Sequence, residues 1–109
     1  MNGVIIPVES TEGWTDCTQS GQNSGTAKYC VKDNTIFIYV AKGAGTLSGW
    51  TKIGGLPSGY CGLALGNEVM NCAYHNGTNY VNFYINSSGE IFAIGGINNI
   101  TSMLIVPKA

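Results

Sequence analysis

Four cysteines, one histidine and six acidic residues are the side chains of this 109-residue chain with most to offer covalent or acid–base chemistry. Cys17, Cys30, Cys61 and Cys72 contain no CxxC pair and fit no zinc spacing. His75 is the lone histidine, so a metal centre is short of ligands. A cysteine nucleophile needs a base held beside it. No nucleophile motif surrounds Cys61 or Cys72, and His75 adjoins Asn76-Gly77, a hairpin signal that puts a histidine on the surface. The acids are dispersed among turns and strand ends, not paired as glycoside hydrolysis requires. The glycines of Gly43-Ala44-Gly45 lack the lysine and helix of a phosphate loop. The expectation is a chain with no catalytic residue and no cofactor. Its cysteines read as reduced, buried thiols, with a disulfide pair left open.

Binding is the better use of the composition. Sugar recognition stacks an aromatic face on the ring and surrounds it with neutral amides and hydroxyls. Trp14, Trp50, Tyr60, Tyr74 and Tyr80 supply aromatic faces, and His75, Asn76 and Asn79 lie near the same expected turn. The candidate ligand-binding set is therefore Tyr74, His75, Asn76, Tyr80 and Trp50. For Trp50 and Tyr60, packing in a core or interface is the competing reading. The sequons at Asn76, Asn86 and Asn99 read as asparagine-rich turns.

Charge narrows the partners. Only 10% of residues are charged, against roughly a quarter in an average soluble domain, and the net charge is −1. The chain has no arginine, and its five lysines are scattered, so it lacks the basic footprint of a nucleic-acid or anionic-membrane binder. No run approaches the ~20 apolar residues of a membrane span, and MNGVIIPVES does not read as a signal peptide. At 44% hydrophobic the chain can bury one core.

The elements that must position these residues are strands. Residues 68–96 read as a three-strand meander, turning at Asn76-Gly77 and at Asn86-Ser87-Ser88-Gly89. Such a meander needs cover from the rest of the chain. Further strands are expected at 28–32, 35–42, 47–53, 61–65 and 101–106, with a tight turn at Asp33-Asn34 and a bend over 54–60. Residues 4–8 read as an edge strand and residues 9–27 as a loop. No segment shows helical periodicity, so the class is all-β.

Two strands are apolar on both faces. Ile36, Ile38 and Val40 line one side of the third strand, and Phe37, Tyr39 and Ala41 the other; residues 91–94 repeat the pattern. A sandwich strand with one wet face should alternate apolar and polar. The second face therefore wants cover, from identical chains around a shared axis or from the loop at 9–27.

Three stretches then resemble one family. KYCVKDNTIFI at 28–38 looks like the xYRKxGNxVxI strand pair of phage tail-fibre and baseplate head domains. LPSGYC at 56–61 looks like their LPxGYRP bend, and VNFYINSSGEI at 81–91 resembles the xxIxxxGxI hairpin that follows. Order and spacing agree over about residues 14–106. The resemblance implies an antiparallel β-sandwich or jelly-roll-like head, homotrimeric, that contacts host-surface saccharide from the virion tail. Identical chains, a host cell-surface glycan and other tail proteins are the implied partners, without nucleic acid or membrane insertion. The division would be an arm at 1–13 and one head domain at 14–109. The alternatives are a trimerising connector with no ligand of its own, or a domain appended to a cell-wall-degrading enzyme. Cys30 and Cys61 stand where the family has arginine, and Gly62 replaces its proline, so no role of those arginines carries over. A Cys30–Cys61 bridge is one reading of the paired replacement.

Overall fold

The structure is a computed structural model that describes residues 14–19, 25–43, 45–77 and 79–109. The arm expected over residues 1–13, with its strand at 4–8, lies outside them. The described residues form eight strands, in order β1 (Thr15–Asp16), β2 (Gly25–Lys32), β3 (Thr35–Lys42), β4 (Leu47–Gly55), β5 (Glu68–Asn76), β6 (Asn79–Asn86), β7 (Glu90–Gly95) and β8 (Thr101–Pro107). They pair antiparallel in two sheets, β1–β2–β3–β8 and β4–β7–β6–β5, packed as a β-sandwich.

Turn chemistry drives the local pairings. Asp33 and Asn34 take φ of 54° and 59°, the left-handed pair a tight β2–β3 hairpin demands. Asn86 holds the β6–β7 turn by accepting from the backbone N–H of Ser88 and Glu90, while Gly89 supplies a φ of 82°. The β5–β6 hairpin forms, but its closing pair is Asn76 with Asn79, so the turn starts one residue later than Asn76-Gly77 suggests. The meander is β5–β6–β7, and β4 adds to its β7 edge.

The inward residues make one core. Ala27, Ile36, Ile38, Val40 and Leu104 from one sheet meet Ile53, Val81, Phe83, Ile85, Ile91 and Ala93 from the other, all fully buried. Each large side chain among them contributes roughly 1.5–3 kcal/mol by leaving water. The first sheet thus supplies the cover the meander needs.

Several expectations are corrected. Residues 61–65 are not a strand: Cys61 makes a single bridge to Lys108, and the chain turns at Ala64–Asn67. β2 begins at Gly25, and Thr15–Asp16 pairs with it, so the stretch at 9–27 is not wholly loop. Within that stretch, residues 17–19 bond to Ala27, Ile53 and Gly55, closing the sandwich edge between β2 and β4 and not lying over a sheet face. Residues 9–13 and 20–24 lie outside the described residues. Phe37, on the outward face of β3, is already buried in one chain and so needs no second copy to hide it.

All four cysteines are free thiols, and only Cys17 is buried. Cys61 donates to the carbonyl of Asn86 at 3.6 Å and is not bridged to Cys30. Cys72 is exposed because it sits on the outward face of an edge strand.

Candidate binding face

The period-2 alternation of β6 puts Tyr80, Asn82 and Tyr84 on one side and Val81, Phe83 and Ile85 on the other. The second set enters the core, so the first faces outward. Cross-strand partners share a face: β5 adds Met70, Cys72 and Tyr74 opposite Tyr84, Asn82 and Tyr80, and β7 adds Phe92 and Ile94. Trp50 of β4 completes the layer by reaching over β7. Its ring meets Tyr84 edge-on at 4.7 Å, and Tyr84 stacks on Phe92 at 4.9 Å. Offset or edge-on aromatic pairs add about 0.5–1.5 kcal/mol beyond burial, which holds these rings in place while they stay partly wet.

Beside the rings lies an open hollow of about 380 Å³, lined by Trp50, Tyr80, Asn82, Ile94, Gly95 and Gly96. Lys42, at the inward end of β3, is buried, and its ammonium donates to the carbonyls of Gly43 (3.0 Å) and Gly45 and to Asn98 Oδ1 (3.1 Å). These contacts join the β3–β4 loop to the β7–β8 loop, which contains Gly96. Burial lowers the Lys42 pKa, and the three oxygens compensate the charge.

Charge on this face is sparse. Lys52 Nζ lies 3.4 Å from Glu90 Oε2, and Glu68 is exposed at the end of β5. A hydrogen bond from Asn86 and the Lys52 contact hold the Glu90 carboxyl low. Burial, with Glu68 and Glu90, pushes the Tyr84 hydroxyl up, so it stays a neutral donor. Among the described residues no group of three His, Cys, Asp or Glu side chains could hold a metal ion.

The structure brings together three of the five expected ligand residues. Trp50 and Tyr80 line the hollow, and Tyr74 is the cross-strand partner of Tyr80. Asn76 instead closes the hairpin, accepting from Asn79 Nδ2 at 2.6 Å. His75 falls where the β5–β6 register slips, so it leaves the ladder and lines no part of the hollow. Tyr84, Phe92, Asn82, Ile94 and the Gly95–Gly96 pair were missed. The alternation of NYVNFYIN carried the signal for Tyr80, Asn82 and Tyr84, but nothing local placed Trp50 beside them.

A larger hollow, about 490 Å³, lies at the end of the other sheet among Thr26, Tyr39, Ala41, Lys42, Asn99 and Thr101. It offers one aromatic ring, and its lysine is already engaged, so the aromatic face is the better-equipped site. No protein-family model, no curated protein and no solved structure matches the chain.

Proposed function

We propose that this chain is a non-enzymatic receptor-binding head of a phage or prophage tail fibre or baseplate, which recognises host-surface saccharide as a homotrimer on the virion. The aromatic face carries the reading. Trp50 and Tyr80 stand about half-exposed next to the Asn82 amide, the equipment with which proteins stack on a sugar ring and bond its hydroxyls. Support for the tail setting comes from the three motifs in family order. Ile105, 51% exposed on the outward face of the other sheet, leaves apolar surface there for contact between copies.

The test is adsorption to host cells and binding to a glycan array, each with Trp50→Ala and Tyr80→Ala. An aromatic anchor of this kind is worth about 2 kcal/mol, roughly 30-fold in Kd. Adsorption and glycan binding should both fall by that order while the fold persists. Sedimentation at micromolar concentration tests the trimer, and a monomer there would remove it. A connector within the tail is the second reading, favoured by Leu65, which stands 96% exposed at a loop tip as a contact for another protein. Under that reading Trp50→Ala leaves adsorption intact and Leu65→Ser disrupts tail assembly.

A further inference from the structure

Two adjacent glycines border the hollow, and the fold needs only one of them. Gly95 has a φ of 142°, and a Cβ there would stand 2.4 Å from the carbonyl oxygen of Tyr80, so no other residue fits. At Gly96 the backbone is in a region any residue adopts, and a Cβ would meet nothing closer than Thr46 at 3.8 Å. Nothing in packing or backbone geometry requires glycine at that position. Its bare backbone lines the hollow beside Trp50 and Tyr80.

The chemistry of the lining restricts the occupant. Trp50 and Ile94 are apolar, Tyr80 and Asn82 offer a hydroxyl and an amide, and among the described residues no charged side chain lines the hollow. Among the described residues, the titratable and charged groups elsewhere on the face are Lys52 on β4, Glu68, Cys72 and Tyr74 on β5, Tyr84 on β6 and Glu90 on β7. The one cation among them is held by Glu90 at 3.4 Å. A carboxylate or sulfate placed in the hollow would lose its water and gain no cation. At about 380 Å³ the hollow sits at the small end of ligand sites, which run from about 300 to 1,000 Å³.

We infer that the hollow takes an uncharged pyranose stacked against Trp50, and that Gly96 is a specificity-determining residue whose missing side chain admits the ring. This deepens the saccharide reading above and rests on it.

The experiment uses the full chain carrying Trp14→Phe, so that Trp50 is the only tryptophan reporting binding. Neutral oligosaccharides built on glucose, galactose and N-acetylglucosamine are titrated beside sialylated and uronate-bearing counterparts of equal length. Gly96→Leu is compared with its parent in both binding and Tm. Expected are quenching by a neutral oligosaccharide, at least tenfold weaker binding of its acidic counterpart, and at least tenfold weaker neutral binding by Gly96→Leu at an unchanged or higher Tm. Neutral binding that survives Gly96→Leu overturns the hollow as the seat while leaving saccharide recognition in place. Preference for the acidic counterparts overturns the uncharged class. Silence across every saccharide, with the chain folded, overturns the saccharide reading itself and this inference with it.

Discussion

Phe37 and Trp50 both point away from the core, on opposite sheets, yet Phe37 is 7% exposed and Trp50 43%. Phe37 sits in the middle of its sheet, between Cys30 on β2 and Ile105 on β8, and is buried. Trp50 is on an edge strand and is steadied by ring contacts instead: Tyr84 takes its edge, and Phe92 stacks behind Tyr84. Both sheets read as two-faced in the amino-acid pattern. On one outward face Phe37 alone of the described residues is buried, among half-buried neighbours such as Cys30 and the exposed Ile105, and the other is a standing aromatic surface with a hollow in it. An apolar residue on the wrong side of a strand is therefore evidence for cover of some kind, not for a partner chain in particular.

The largest expected effect breaks this contrast at Phe37. Replacing it with alanine empties a buried site and should cost about 3–5 kcal/mol of stability, with the affinity of any ligand on the opposite face unchanged in the folded fraction. Trp50→Ala should do the reverse, costing much less stability, about 0.5–1.5 kcal/mol for the lost ring pair, and losing binding. Chemical denaturation paired with ligand titration of both variants checks the exchange. Equal losses of stability would erase the distinction between the faces.

A thiol on neither face gives the next test. Cys17, in the segment that closes the edge between β2 and β4, has its pKa pushed up to about 11 from 9.0, chiefly by burial and then by Asp16. Below pH 9 the thiol is protonated in both states and contributes no pH dependence. Between pH 9 and 11 the unfolded thiol ionises first, so stability should fall with rising pH, by about 2–3 kcal/mol over the window. Denaturation midpoints from pH 8 to 11 should show that decline in the parent and a shallower one in Cys17→Ala.

The smallest effect leaves stability alone and reads access. Cys30 is on the outward face with Phe37, half-buried, its pKa raised by burial. Cys72 is exposed on the aromatic face, opposite Asn82. A maleimide at pH 7.5 should label Cys72 well before Cys30, and Cys17 last. The adduct on Cys72 should then block saccharide binding without lowering Tm. Faster labelling of Cys30 would mean that the Phe37 face is open after all.

Much of the fold was legible in short windows of sequence. Asp33-Asn34 tolerates positive φ, Asn86 to Gly89 turns on its own side chain, and alternation along β6 separates Val81, Phe83 and Ile85 from Tyr80, Asn82 and Tyr84. These are properties of neighbouring residues and survive without knowledge of the rest of the chain. The all-β class and the single core follow from them. His75 shows the limit: its place beside a turn motif was visible, but a one-residue slip in pairing, which depends on the partner strand, took it out of the ladder.

The rest depended on which distant strands meet. Trp50 reaches Tyr84 because β4 joins the meander at β7, some forty residues later in the chain, and no local pattern selects that neighbour over the others. Lys42 reads as a polar strand end in sequence. It is buried because the β3–β4 and β7–β8 loops turn three oxygens onto its ammonium. Turn type and side-chain alternation are written in consecutive residues, whereas the openness of a face is set by what crosses over it, and that is known only once the two sheets have packed.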